Sequence, residues 1–448
     1  MDKRLGVIVS GSYDYNGRGI DDIEPVPTIL TGTASTPGFS SMDLREYKYD
    51  RSRYGVGGNV DYKLGANSTL FVRTLFSDFR DYGHRWDYAL ATNDTIPGAN
   101  LPGFNTERRL GDYQVASLIL GGNHSIRNWQ INWEGSVARS RMLNPIAGGE
   151  SITSFNYIGS TSNCQYNPAA NKGIYRPQFT ADCFGEAYDP NNFALSTISQ
   201  ANHGVSAQLN LQGSASLGHS YEVGSHFGVF QLGGWFSNAH KFDNSYENDY
   251  TPNNTVLMSQ FINGFKNSNY YDGSYQYGPI ADWEKVNSFL AANLSSFTPT
   301  SNYGGNTDNF NLIERVSAGY LMNTFDFGRF SIYAGVRFEG TQDHTLSFDN
   351  TAGTLSVKGN NSYVSTLPSA SLRFRIDNSS DVRLAYGRGI SRPDPQFLTF
   401  ATSIDTSTFP PTLTVGNPAL KPEFANNYDV LYERFLKPAR DSSCWFFL

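Results

Sequence analysis

No stretch of the 448 residues approaches a membrane-spanning helix, which needs about 20 consecutive apolar residues. A helical membrane protein is thereby excluded. Charge is scarce too: 17% of residues are charged, where soluble domains carry about 25%. The net charge is −7 and the pI near 5.5, so the basic face that a nucleic-acid partner requires is not expected. Cysteine occurs three times, at Cys164, Cys183 and Cys444, a usage that suits either the cytoplasm or an exported protein. The seven His are scattered. None stands with Cys, Asp or Glu at a metal-ligand spacing, so neither metal nor cofactor is expected. A Gly-rich phosphate loop and a nucleophile elbow are also missing. A hydrolase would have to pair His84 or His344 with loop acids such as Asp81, Asp87 or Asp343, a proximity common by chance. No catalytic residue is assigned.

Aromatics and glycine are abundant: 14% aromatic residues, with 27 Tyr and 31 Phe, and 43 Gly. Glycine inside strands weakens a packed soluble core, but a wide barrel tolerates it because its lumen need not be filled. The main signal is apolar–polar alternation over about ten residues, the length of a tilted strand crossing a bilayer. Trp129, Ile131, Trp133, Gly135 and Val137 alternate with Gln130, Asn132, Glu134 and Ser136. Phe330, Ile332, Ala334, Val336 and Phe338 alternate with polar residues including Arg337 and Glu339. Ala370, Leu372, Phe374 and Ile376 alternate with Ser371, Arg373, Arg375 and Asp377. Only half of such a strand meets lipid, which accounts for a mean hydropathy of −0.42 in a membrane protein.

Twelve strands are expected, near 3–15, 53–64, 68–80, 111–122, 128–140, 203–216, 224–239, 309–323, 329–342, 363–376, 381–390 and 425–437. Short turns, among them Gly65-Ala66-Asn67-Ser68, Gly121-Gly122-Asn123 and Asp377-Asn378-Ser379-Ser380, alternate with long loops at 16–52, 81–110, 141–202, 240–308, 343–362 and 391–424. Placing every long loop on one side is the habit of outer-membrane barrels. The expectation is an all-β, antiparallel transmembrane β-barrel.

The stretch 367–436 carries a resemblance. Leu367-Pro368-Ser369, Ser391-Arg392-Pro393, Asn417-Pro418, Leu420-Lys421-Pro422-Glu423 and Asn427-Tyr428-Asp429 together resemble the later barrel of TonB-dependent outer-membrane receptors. Gly11 to Asp21 is similar to their early strands. The resemblance implies a barrel of about 22 strands around a plug, with a box that binds TonB, in a receptor importing a scarce solute of siderophore, vitamin or carbohydrate class. Its partners would be outer-membrane lipid, TonB and that small solute. A passive channel or an adhesin is the alternative, and a barrel hydrolase a more distant one.

Residues 1–448 are expected to be a partial barrel of twelve or thirteen strands, without signal peptide, plug, TonB box or final strands. Met1 reads as an internal start, and a thirteenth strand would begin after Lys437-Pro438-Ala439-Arg440. An open edge in lipid costs several kcal/mol per unpaired group, so the chain is not expected to fold stably in a membrane alone.

Arg392, Pro393, Asn417, Pro418, Leu420, Pro422 and Glu423 are expected to be structural, since proline fixes φ and sets how a long loop re-enters the wall. Arg337, Arg373 and Arg375 are expected to face the lumen or plug, because a lipid-facing Arg at mid-depth costs about 2–4 kcal/mol. Tyr270, Tyr271, Tyr275, Tyr277 and Trp283 lie deep in a long loop, where they would either stack on a solute or serve as interfacial aromatics. Cys164 and Cys183 share another loop, and a bridge between them would contribute about 3 kcal/mol.

Overall fold

The computed structural model describes residues 4–29, 37–91, 103–143, 150–159, 176–302, 309–349, 354–399, 403–405, 410–414, 416–436 and 440–447. The first strands are β1 (Leu5–Ile29), β2 (Pro37–Gly65), β3 (Ser68–Ala91), β4 (Gly103–Ile126), β5 (Trp129–Leu143) and β6 (Glu150–Tyr157). After helix α1 (Ala181–Ala187) come β7 (Phe193–Val223) and β8 (His226–Pro252). Two short helical segments, α2 (Tyr270–Gly273) and α3 (Trp283–Ala292), precede β9 (Phe297–Asn302). Then follow β10 (Phe310–Phe327), β11 (Phe330–Asp349), β12 (Thr354–Asp377) and β13 (Ser380–Ser391). Helix α4 (Pro395–Leu398), β14 (Ser403–Asp405), β15 (Thr412–Thr414), β16 (Glu423–Leu436) and β17 (Arg440–Phe447) complete the order.

One 15-stranded sheet dominates, along the path β1-β2-β3-β4-β5-β7-β8-β10-β11-β12-β13-β16-β17. β6 pairs with β4 and β7, β9 pairs with β8, and β14 and β15 form a separate hairpin. Among the described residues β1 and β17 do not pair, so the sheet is not closed. All twelve expected strands are present, and β17 continues the path as a thirteenth.

Five two-residue turns sit at one end: Ala66-Asn67, Arg127-Asn128, Gly224-Ser225, Gly328-Arg329 and Asn378-Ser379. Arg127, Gly224 and Gly328 have φ of 55°, 63° and 59°. Positive φ at the first turn residue suits the twist of a tight hairpin. The turn expected at Gly121-Gly122-Asn123 is instead strand, with Gly121 paired to Phe71 and Glu134. A Cβ on Gly121 would lie 2.3 Å from the Phe71 ring, so this glycine serves close packing.

The expected loops 16–52, 81–110 and 343–362 are largely strand. β1 and β2 stay paired out to Ile29–Pro37, β3 and β4 to Ala89–Gly103, and β11 and β12 to Asp349–Thr354. Beyond the bilayer both faces meet water or protein, so the apolar–polar contrast that marks a strand fades there.

Register fixes the faces, because successive side chains alternate. Near the tight turns one face carries Leu5, Val7, Val60, Tyr62, Leu70 and Val72 in cross-strand pairs, and the other carries Asp61, Asn59 and Arg73. On β10 and β11 the pairs Leu321–Val336 and Gly319–Phe338 share the apolar face, while Tyr320–Arg337 and Ala318–Glu339 share the polar one. The apolar face is the outward, lipid-facing side and the polar face lines the lumen.

Two excursions beyond the lipid band settle on opposite faces. The segment 253–302 packs on the outward face. Its Met258, Phe261, Tyr270, Tyr277, Ile280, Val286 and Leu290 share one buried core with Met42 and Leu44 of β2, Trp86, Tyr88 and Leu90 of β3, and Phe104 of β4. Those wall residues are in register with each other (Leu44–Tyr88, Tyr88–Phe104) and lie on the same alternating rows as Val60, Val72 and Leu120. The described residues of 391–422 pack inward: Leu398 and Leu420 cover Phe310 and Leu312, which share a face with Tyr320 and Glu314.

Candidate solute face of the lumen

The inward face of β2–β4 carries a continuous polar surface beyond the lipid band. Arg51 pairs with Asp81 at 2.6 Å, Arg85 with Glu107 at 2.6 Å, and Arg109 with the same Glu107 at 2.6 Å. Arg45 bonds Asp43 at 2.7 Å and also pairs with Glu24. Tyr47 and Tyr49 stack at 5.4 Å, and the Arg51 guanidinium lies 4.0 Å from the Tyr49 ring centre. Gly83 makes room for that ring, since a Cβ there would fall 2.9 Å from Tyr49 Cδ1. Each arginine has an acidic neighbour, so this surface is a hydrogen-bonding wall and not an anion trap.

The far part of the lumen is built the same way. Arg337 Nε donates to Glu339 Oε1 at 2.6 Å, and Arg392 pairs with the other Glu339 oxygen. The Arg337 guanidinium lies 5.2 Å from the Trp235 ring centre. Arg373 Nε donates to Asp381 at 2.7 Å. Arg375 is exposed and in register with Asp381. Register thus puts Arg337, Arg373 and Arg375 on the polar face.

The motif residues cluster where β13 leaves the wall and β16 returns. Ser391 pairs with Glu423 as the last rung. Asn417 N donates to Phe397 O at 2.7 Å, and Asn417 Oδ1 accepts from Ala419 N at 2.9 Å. Asn361 Nδ2 donates to Leu420 O at 2.8 Å. Pro393, Pro418 and Pro422 flank these anchors, so the geometry of this segment is that of a pinned re-entrant loop.

Between the two regions lies a cavity of about 400 Å³ lined by Tyr113, Met142, Ser206, Lys241, Phe310 and Pro395, among others. Lys241 Nζ is 3.6 Å from Glu314 Oε1. Two aromatic rings, a hydroxyl and one ammonium are groups that can stack on and hydrogen-bond a small polar solute. Sequence reasoning missed this cavity, because its lining comes from five strands and from α4.

The loop aromatics are placed elsewhere. Tyr270, Tyr275, Tyr277 and Trp283 are buried within the outward-packed segment. Tyr270 Oη has one proton to share between the backbone carbonyls of Asp22 (2.6 Å) and Arg45 (2.8 Å), Tyr275 Oη donates to Pro177 O at 2.6 Å, and Trp283 Nε1 donates to Ser151 Oγ. Their surfaces are spent on packing, which replaces the expectation of a solute-stacking platform; Tyr271 alone is half-buried. Burial raises the tyrosine hydroxyls of 270, 275 and 277 above their ordinary value. Cys183 is buried in the same core and is disulfide-bonded; Cys164 lies outside the described residues. His84 stacks on Trp86 at 6.0 Å, and His344 faces Asn360 at 2.7 Å.

Solved structures similar to this chain include three receptors. The ferric-catecholate import receptor Fiu of E. coli K12 is 13% identical with a TM-score of 0.48, over 98% of this chain and 56% of its own. The siderophore receptor PiuA of Acinetobacter baumannii is 10% identical with a TM-score of 0.46, over 97% of this chain and 55% of its own. The alcaligin outer-membrane receptor FauA of Bordetella pertussis is 11% identical with a TM-score of 0.44, over 98% of this chain and 50% of its own. The chain spans about half the length of these structures. No curated protein matches it in sequence. Residues 148–442 match the family described as "TonB dependent receptor-like, beta-barrel". With most of its length inside that match, the chain belongs to the TonB-dependent receptor barrels, a family of outer-membrane receptors and not of enzymes.

Proposed function

We propose that this barrel serves a receptor that binds a scarce solute at the outward end of the lumen and imports it with energy delivered by TonB. The solute would be of siderophore, vitamin or carbohydrate class, as the family implies, and a cavity of about 400 Å³ would receive only part of the larger of these. Coupling would run through a plug and a TonB box, as the family implies. The observation that carries the reading is the 400 Å³ cavity on the inward face, bordered by Pro395 of the segment that bears the family motif. Its lining supplies aromatic stacking beside hydrogen-bonding groups, the usual make-up of a small-molecule site.

The test is uptake of a panel of labelled ferric siderophores, cobalamin and oligosaccharides by cells with and without the receptor gene and with and without TonB. One solute is expected to require both, and Tyr113→Ala with Lys241→Gln should raise its half-saturation concentration. Uptake by the barrel that persists undiminished without TonB would establish a passive channel instead.

A further inference from the structure

From β5 to β16 the two faces differ in the sign of charge they accept. On β5, β7, β8, β10–β13 and β16 the register puts every described carboxylate on the inward face except Asp377, which follows a register shift beside a tight turn and pairs with Ser380. Glu134, Asp243, Glu314, Glu339, Asp381 and Asp429 stand in rows with Gln212, Ala207-flanking polar residues, Ala318-side residues and Leu431, all on the polar side. Away from that turn the outward face of these strands carries cations and, among the described residues, no acid. Arg139 and Arg141 follow directly on the apolar row Trp129, Ile131, Trp133, Gly135 and Val137. Arg315 follows Leu321, Gly319 and Ser317, and Arg388 follows Val382, Leu384 and Tyr386. β5 and β10 are three strands apart on the sheet path, about 14 Å.

Among the described residues these arginines form no ion pair, unlike the lumen arginines; the nearest same-face acid, Asp112 beside Arg141, is taken up by Arg80. Arg139 and Arg315 are exposed. Arg141 Nε donates to Gln114 at 2.7 Å and Arg315 Nε to Asn238 at 3.1 Å, both neutral amides. Arg388 lies 4.2 Å from the Phe424 ring centre, and its Nε has no hydrogen-bond partner. The capped side of the wall is different: outward Arg80 is flanked by Asp78 at 3.3 Å and Asp112 at 3.8 Å.

We propose that this outward arginine stripe binds the phosphate groups of lipids in the surrounding leaflet. The occupant is a lipid because the stripe continues the lipid-facing rows of the same strands, so its guanidinium groups stand at headgroup depth. The chemistry is phosphate because a planar guanidinium with free donors matches phosphate oxygens. Rejection of carboxylates from the same face is what an anionic surface imposes.

The probe is phosphatidic acid in phosphatidylcholine vesicles, with the receptor that carries this barrel reconstituted and the retained lipid quantified after purification. The wild-type chain should enrich phosphatidic acid over phosphatidylcholine. Each Arg→Gln change at 139, 141, 315 or 388 should lower that enrichment about fivefold at most, and the four Arg→Lys changes together should keep most of it. Arg375→Gln, on the inward face, should change nothing. Equal retention by the wild type and the fourfold Gln variant would overturn the proposal. So would complete displacement of the lipid by inorganic phosphate, which would mark a small-anion site. A fourfold Gln variant that fails to fold leaves the single variants and the Lys variant to decide, and enrichment unchanged in every single variant would also overturn it.

Discussion

The segments 253–302 and 391–422 leave the same end of the same sheet, yet one settles outside the wall and the other inside. The outer segment brings a core of its own. Met258, Phe261, Ile280, Val286 and Leu290 meet the apolar patch that β2, β3 and β4 expose above the lipid band. The inner segment brings little apolar surface, chiefly Leu398 and Leu420. It is held instead by the Arg392–Glu339 ion pair and by the Asn361–Leu420 hydrogen bond. Within the bilayer, lipid dictates which face is apolar. Above it that constraint lapses, and each excursion goes to the wall patch that its own side chains can bury. The placement leaves the 400 Å³ cavity beside the inner segment, at Pro395, and clear of the outer one.

The largest effect should come from hollowing the outer core. Tyr277 is fully buried and packs against Tyr270 at 4.9 Å and Tyr88 at 5.4 Å. Tyr277→Ala should cost the segment about 3–5 kcal/mol, read as rapid proteolysis within 253–296 while the tight-turn hairpins stay protected from hydrogen exchange. Cleavage at the wild-type rate would show that the segment is not seated as described.

The same contrast explains what could be read from the sequence. β5, β11 and β12 were legible because Trp129 to Val137, Phe330 to Phe338 and Ala370 to Ile376 alternate cleanly where one face meets lipid. The outer halves of β2 and β3 were not. Met42, Leu44, Tyr88 and Leu90 are interleaved with Asp43, Arg45 and Asp87, and the cover that buries the apolar set comes from a segment more than 160 residues away in sequence. Tyr270 and Tyr277 read equally well as solute contacts or as interfacial residues, since aromatics in a loop advertise no partner. The motif Ser391-Arg392-Pro393 with Leu420 to Glu423 was legible as a re-entrant loop because proline restricts the backbone locally, whatever packs on it. The cavity was not, for its residues are neighbours only across strands.

The next effect concerns the inner segment. Leu398 is 2% exposed, and Leu398→Ala should loosen 391–422 by about 2–4 kcal/mol. A cysteine probe at Asn417 should then be labelled faster, with no change in proteolysis of 253–296. Equal loosening of both segments would mean that they are coupled through the wall.

Alkali should act on the outer segment first. The raised hydroxyls of Tyr270, Tyr275 and Tyr277 keep their protons in the folded state when the unfolded chain loses them near pH 10. Their contribution is therefore intact below that value and falls as pH rises past it. Proteolysis of 253–296 should accelerate above about pH 10 before the hairpins open, and simultaneous loss of both would contradict this order.

The smallest effect is at the opposite end of the sheet. Arg127 holds φ at 55°, a conformation that costs a side-chain-bearing residue about 1 kcal/mol. Arg127→Gly should stabilise the β4–β5 hairpin by about that much, read as slower hydrogen exchange there, and leave both excursions untouched. Faster exchange would show that the arginine side chain contributes more than its backbone strain costs.

Opposite placement of the two excursions is tested most directly by cross-linking from adjacent wall residues. Tyr88 points outward and its hydroxyl donates to Pro279 O, whereas Asp87, next to it in β3, points inward toward Arg45 at 3.8 Å. A cysteine at position 279, combined with one at 88 or at 87 in a Cys444→Ser background, would be treated with a short bismaleimide. Efficient linkage of 279 to 88 and little to 87 is the expected result. Linkage of 279 to 87 in preference to 88 would place the segment 253–302 inside the lumen and contradict the opposite placement of the two excursions.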